Sequence, residues 1–277
     1  MNSLQQFKNK VVIITGASAG VGAETARAFA KQGAKLVLLA RGQQALTAMT
    51  NELKTMTEVL SISLDVCDTQ GYKKLLEDVE QHFGAIHILV NNAGYHKRGD
   101  VDKNDATELA KMVDVNLRAP IALSALTLPY IIKQQTGAIV NVGSLAGRTP
   151  LQGAATYAAT KAGLRAFTYS LADEISQPNI HIGLVSPGPI NTGFIMSEIA
   201  QVEDIVFSQP MSSAHQVAQA ILDVATGKSV EISLPKSGGR LTMLSYLFPW
   251  LRRKLRPVLY KKGKKAKKKY IQHDMSK

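Results

Sequence analysis

The sequence predicts an α/β fold: a doubly wound parallel sheet of Rossmann type, in a single domain with a basic C-terminal extension. Three observations predict it. Short apolar, β-branched runs alternate with longer segments of helical patterning. The first of those runs stops at a glycine-rich segment that leads into a helix. Nearly all of the net charge lies beyond residue 251.

The elements follow in order. "KVVIIT" (10–15) reads as the first strand, and "TGASAGVG" (15–22) as a turn. "AETARAFAKQG" (23–33) reads as a helix ending on a glycine suited to a C-cap. "AKLVLLA" (34–40), "VLSISLD" (59–65), "AIHILVNNA" (85–93), "GAIVNVGS" (137–144) and "IHIGLVSPG" (180–188) repeat the strand theme. "SVEISLP" (229–235) reads as a last, shorter strand. Strands alternating with helices make βαβ units, with helices on both faces of the sheet. No solenoid or propeller period recurs. No linker precedes Leu241, so residues 1–240 read as one domain and 241–277 as an appended segment.

The composition is ordinary for a globular chain: 277 residues, 45% hydrophobic and 19% charged. Cys67 is the single cysteine, so no internal disulfide can form, which fits a reducing compartment. The N-terminal "MNSLQQFKNKVVIITG" lacks the pattern of a secretory signal. No uninterrupted apolar run reaches the roughly 20 residues of a spanning helix. These features fit a cytoplasmic protein. From Arg252 to Lys277 there are 12 Lys and Arg against one acid, so the segment carries +11 of the total +12 and the body only +1. A body-wide nucleic-acid surface is excluded on that ground.

The turn after the first strand holds Gly16, Ser18, Gly20 and Gly22. Glycines there allow a sharp turn and close approach of a pyrophosphate to the next helix's N-terminus. A plain glycine loop is the alternative. The second strand is followed by Arg41, where an acid would bind a ribose 2′-hydroxyl and repel a 2′-phosphate. An arginine pairs with the phosphate, which favours NADP(H); a solvated surface Arg41 is the alternative.

"YAATK" sets Tyr157 and Lys161 at i and i+4, on one helix face. "VGS" brings Ser144 to the end of a strand, facing the crevice where open α/β sheets bind ligands. Together they permit hydride transfer at a carbonyl. A carbonyl that takes hydride needs a proton, which a tyrosine can give; an adjacent ammonium lowers the phenol pKa. A serine can hold the substrate oxygen. Each residue alone is commonplace, and the joint pattern carries the reading. It invokes no metal.

The chain resembles the short-chain dehydrogenase/reductases over about residues 7–235. The resemblance rests on the glycine turn, "NNAG" (91–94), "VDVN" ending in Asn116, Ser144, "YAATK" and "SPGPINT" (186–192), all in family order. It implies an oxidoreductase with Tyr157 as acid/base and Lys161 as its pKa-lowering partner and a ribose ligand. Ser144 would hold the substrate oxygen, and Asn116 would anchor a water in the proton relay. Asp65 would contact the adenine. Asn92, near Gly94, would steady the central strand beside the cofactor. Pro187, Gly188 and Thr192 would form the loop on the nicotinamide side. A homo-oligomer, dimer or tetramer, is implied by the same likeness.

The segment 191–210 would be the substrate lid. Its Phe194, Ile195, Met196, Ile199, Ile205, Val206 and Phe207 fit an apolar small-molecule substrate, or else pack on the body's own core. The end of the chain reads as an apolar stretch, "LTMLSYLFPWL" (241–251), beside a cationic one. A helix would start near Pro249 and be limited again by Pro257. Apolar aromatic residues beside strong positive charge resemble an in-plane membrane anchor on an anionic surface. That makes the chain peripheral on the cytoplasmic face, taking a lipid-like ketone from the bilayer. The alternatives are packing on the body, a disordered lysine tail, or contact with nucleic acid, which the tail's lack of interleaved aromatics disfavours. A non-catalytic nucleotide-sensing protein is the rival from another class.

Overall fold

The computed structural model describes residues 6–274. Residues 1–5 of the expected domain and 275–277 of the expected extension lie outside them. The elements are β1 Val11–Thr15, α1 Gly20–Lys31, β2 Lys35–Ala40, α2 Gln43–Leu53, β3 Val59–Ser63, α3 Tyr72–Phe83 and β4 Ile88–Asn91. Then come α4 Ala106–Val113, α5 Ala119–Lys133, β5 Gly137–Val142, α6 Ala155–Glu174, β6 Ile180–Pro187, α7 Gly193–Met196 and α8 Ala214–Ala225. The chain ends with β7 Glu231–Leu234, α9 Lys236–Leu247 and α10 Pro249–Asp274. Seven parallel strands run in the order β3-β2-β1-β4-β5-β6-β7. This is the Rossmann-type sheet the sequence predicts, with strand order reversing between β1 and β4. Ligands bind at that switch point, outside the strands' carboxyl ends.

Alternate residues of each strand feed two cores. Val12 and Ile14 of β1 pack with Phe29 and Val217 on one face, under α1 and α8. Val11 and Ile13 pack with Tyr72 and Leu123 on the other, under α3 and α5. Burial on both sides explains why the strands read as continuous apolar runs rather than alternating ones. Some strands are shorter than the runs: Leu64 and Asp65 have left β3, and Ala85 to His87 precede β4.

A π-helical turn, Asp114–Arg118, joins α4 to α5. The combined helix, residues 106–133, is long and apolar enough to cross a membrane. Its inner residues Leu123 and Ile131 are buried against the sheet, so it belongs to the core of this fold.

Glu231 fixes the last strand. Its side chain, 5% exposed, meets Arg148 at 2.9 Å and Arg165 at 2.9 Å. Ser186 and Tyr169 hydroxyls donate to it at 2.7 and 2.9 Å. Burial pushes this carboxyl up, but the bonds from Arg165, Ser186 and Tyr169 and the Arg148 charge hold it below its ordinary value. A depressed carboxyl stabilises the fold above its unfolded pKa, and that stability is lost as pH falls through the folded value. Glu231→Gln is expected to cost about 2–3 kcal/mol at pH 7, the loss being limited because Arg165 is partly exposed. Urea unfolding at pH 7 and at pH 4 checks this: the gap between the two proteins should narrow at the lower pH.

The C-terminal segment corrects the expected stop at Pro257 and shows how the rest of the extension lies. Residue 241 falls inside α9, whose Gly238, Gly239 and Thr242 are buried on the body. The helix α10 runs through Pro257 without stopping. Pro257 is exposed, so the carbonyl freed at Arg253 faces water, which compensates the lost helix bond. The lysine run is helical and packs on the body. Gly263 lies so close to the lid that a Cβ there would sit 1.8 Å from Asp204 O. Lys267 Nζ donates to Val202 O at 2.6 Å and Ala200 O at 3.2 Å, and Tyr260 donates to Glu203 at 3.0 Å.

Candidate active site

The glycine turn carries β1 into α1. Gly16 and Gly20 hold positive φ, +65° and +54°, which favour glycine. Gly22 is closer still: a Cβ on it would lie 2.1 Å from Gly16 O. The helix-capping Ala19 supplies no side-chain bond, and no acid stands in the first turn. The first N–H groups of α1 therefore face outward unpaired by side chains, as a pyrophosphate requires. Asn92 stitches β4 to this turn, its Nδ2 donating to Thr15 O at 2.9 Å and Gly16 O at 3.2 Å. The cradle fits a dinucleotide.

One continuous cleft of about 1090 Å³ opens at the strand ends. Gly16, Ser18, Gly20, Arg41, Asp65, Asn92 and Gly94 line it, together with Ser144, Tyr157, Lys161, Pro187, Gly188 and Thr192. The structure thus brings together all the candidate residues except two. Gly22 and Asn116 lie behind the lining. Gly22 packs on the turn itself. Asn116, fully buried in the π turn, binds the Tyr95 backbone: its Oδ1 accepts from Tyr95 N at 3.0 Å and its Nδ2 donates to Tyr95 O at 2.8 Å. A methyl on Gly94 would meet Asn116 Oδ1 at 3.0 Å and Lys161 Nζ at 3.5 Å, so these groups approach across that glycine.

Arg41 is largely exposed, with Nη1 3.9 Å from Asp65 Oδ2, a loose surface pair worth little. Asp65 Oδ1 accepts from Cys67 N at 2.9 Å, which holds the carboxylate at the cleft edge.

Tyr157 and Lys161 project from the first turns of α6 toward the end of β5, where Ser144 follows two residues after the strand and caps the short turn Leu145–Arg148. Lys161 is 5% exposed and its Nζ donates to Val142 O at 2.8 Å. Burial draws its pKa down to about 8. The Tyr157 phenol is pushed up by burial, with the Ser144 hydroxyl and the Arg98 charge acting the other way. Burial thus acts against the lowering expected from the ammonium. Lys161 Nζ stands 5.9 Å from the Tyr157 ring centre and is engaged by Val142, so desolvation outweighs its charge. The dry setting therefore favours the protonated phenol.

Two residues escaped the sequence reading. The His96 ring stacks on Tyr157, centres 4.2 Å apart and planes within 16°. Burial draws its pKa to about 3, so the imidazole is neutral. Arg98 donates to His96 Nδ1 at 2.9 Å, to Phe194 O at 3.1 Å and to Glu198 at 3.3 Å. It therefore ties the loop after β4 to the lid. The available signal was position alone: "YHKRGD" (95–100) follows a central strand at its carboxyl end. The lid divides. Ile195, Val202 and Phe207 form their own small core, with Tyr270 of α10 packed against it. Phe194 and Ile205 turn to the cleft, and Ile195 and Val206 serve both, lining the cleft while packing in the lid's core. Five leucines of the C-terminal segment, Leu241, Leu244, Leu251, Leu255 and Leu259, complete its wall.

The glycine turn at a helix N-terminus and the Ser144, Tyr157 and Lys161 side chains line one crevice at the carboxyl ends of the strands, an arrangement that Rossmann-type oxidoreductases using a nicotinamide nucleotide share. The comparisons with known proteins narrow the class. A family profile described as short chain dehydrogenase matches residues 10–203. The 3-oxoacyl-acyl-carrier-protein reductase of Thermotoga maritima is 31% identical over 229 residues, 81% of this chain and 93% of that one. A metagenomic short-chain oxidoreductase solved in complex with NADP aligns with TM-score 0.70 at 29% identity, over 82% of this chain and 97% of that one. A short chain dehydrogenase/reductase of Burkholderia phymatum, solved with NAD, shares the fold at TM-score 0.79 and 24% identity, over 89% and 96%. The chain belongs to the short chain dehydrogenase family.

Proposed function

We propose that this enzyme moves hydride between NADP(H) and the carbonyl or hydroxyl of an apolar, lipid-like substrate, with Tyr157 as acid/base. The observation that carries the reading is a single cleft lined both by Tyr157 and by five leucines of the C-terminal segment. Bound NADPH supplies the hydride. Ser144 Oγ holds the substrate oxygen by a hydrogen bond, and Tyr157 gives its proton to that oxygen as the C–H bond forms, leaving an alcohol and a phenolate. Lys161, with its Nζ held at Val142 O, faces the site where the phenolate charge appears and restores its proton. Asn116 steadies the adjoining backbone and anchors the water that feeds this relay. The reverse sequence oxidises the alcohol, and cofactor supply sets the direction. Gly16, Ser18, Gly20 and Gly94 would hold the phosphates and neighbouring ribose, in a turn shaped by Gly22 and Asn92, with Asp65 at the adenine and Pro187, Gly188 and Thr192 on the nicotinamide side.

Arg41 carries the choice of NADP(H). Arg41→Ala is expected to weaken NADPH about tenfold or more while leaving NADH nearly unchanged, since one charge-assisted bond contributes about 1.5–3 kcal/mol. Titration with both nucleotides checks it, and equal losses would undo the assignment. A homo-oligomer and a peripheral position at the cytoplasmic membrane face belong to the same reading; exposed Leu126 and Ile132 on α5 are apolar positions that a second copy could cover. The decisive test is NADPH oxidation against ketones of increasing chain length. Rates rising with chain length support the reading. Nucleotide binding without turnover on any carbonyl would favour a non-catalytic nucleotide sensor.

A further inference from the structure

The α9–α10 hairpin has two faces that do different things. Its inner leucines, named above, wall the cleft. Its outer apolar residues stay largely exposed: Tyr246 is 65% exposed, Leu247 59%, Phe248 44%, Trp250 64% and Val258 65%. None of these five lines the cleft. Four of them, Tyr246, Leu247, Phe248 and Trp250, fall at the junction of α9 and α10, with Val258 about two turns along α10, and exposed apolar residues of this aromatic content mark a contact surface. Nine Lys and Arg between Arg253 and Lys269 are exposed, and no acid interrupts α10 before Asp274. The remaining two cations of that helix turn inward, Arg252 to the cleft and Lys267 to the lid carbonyls. The seating of Gly263 on Asp204 and the packing of Tyr270 against Phe207 hold the helix firmly, so its cationic face and its aromatic tip keep a fixed relation.

We propose that this hairpin docks on an anionic bilayer, with the bend at Phe248 and Trp250 inserted among the acyl chains and the lysine face on the headgroups. The cleft wall is the other side of the same two helices, so the cleft mouth then adjoins the bilayer. The substrate class is accordingly a membrane-resident amphiphile bearing a carbonyl, drawn along the leucine wall toward Tyr157. This last step rests on the catalytic reading above; the docking does not. An apolar aromatic tip suits acyl chains and has no counterpart in a nucleic-acid backbone, which would use the lysine face alone.

Trp250 is the only tryptophan in the chain, so its emission reports the bend. With the full-length protein, vesicles of phosphatidylcholine containing phosphatidylglycerol are expected to shift that emission to the blue, and vesicles of phosphatidylcholine alone to leave it unchanged. Replacing Lys261, Lys262, Lys264 and Lys265 with Gln should weaken vesicle binding roughly a hundredfold at low salt. Leu247→Ser with Phe248→Ser should abolish the shift and slow turnover of a long-chain ketone embedded in vesicles. The same double variant should leave turnover of a water-soluble short-chain ketone unchanged. No blue shift with either vesicle, or equal binding by the wild type and the Gln variant, would overturn the docking. So would binding only to duplex DNA, or a bend covered by a second copy, read as a change of oligomeric state in the Ser variant. If both proteins lack turnover on the soluble ketone while the shift persists, the catalytic reading fails and the docking stands.

Discussion

Tyr157→Phe is expected to cut turnover by about 10²–10⁴-fold, the share that a positioned general acid contributes. The reason is local. The substitution removes one hydroxyl from a ring that stays in place, because His96 stacks on that ring at 4.2 Å whether or not the oxygen is present. NADPH affinity should therefore change little, since the phosphate cradle lies elsewhere in the cleft. The loss should fall on kcat rather than KM, because the proton is needed as charge develops on the substrate oxygen and not before. Single-turnover NADPH oxidation with the Phe variant measures it. Turnover within a few-fold of wild type would refute the role given to this residue.

Gly22→Ala is the second large effect. The added methyl would lie 2.1 Å from Gly16 O and 2.6 Å from Asn92 Nδ2. Neither can step aside easily: Gly16 O is backbone, and Asn92 Nδ2 is already bonded to Thr15 O. The turn must open, which moves the N–H groups of α1 away from the phosphates. A loss of about 1–3 kcal/mol in stability is expected from the overpacking, with a roughly hundredfold loss of NADPH affinity as the anion site is spoiled. Gly42→Ala is the control, because a methyl there meets nothing within 4 Å. NADPH titration and thermal melting of both variants separate crowding from a general intolerance of side chains near the cleft. Equal behaviour of the two would show that the close approach at Gly22 is not what shapes the turn.

Much of the candidate site was legible before any fold was known, for a reason specific to these residues. Gly16 to Gly22 form one short turn, Tyr157 and Lys161 are one helical turn apart, and Ser144 follows closely on a strand's end. Each signal is local, and the βαβ order brings the signals to one edge of the sheet. The pairing of His96 with Tyr157 was not legible, because it joins two loops and helices about sixty residues apart whose approach depends on the lid. The opposing effect of burial on the phenol was hidden for a related reason. Spacing shows that an ammonium is near, but it does not show that Val142 O engages it or how dry the cleft is.

The amino-acid order therefore settled the strand–helix alternation, the Rossmann class and the local groups at the strand ends, since periodicity, glycine turns and β-branched runs act over a few neighbours. Packing across the chain settled the rest. Glu231 gathers Arg148, Arg165, Ser186 and Tyr169 to pin the last strand. Gly263 lets a lysine-rich helix, which sequence alone would leave solvated, lie against the lid. Such contacts exist only after distant segments have been desolvated together, so no local pattern announces them.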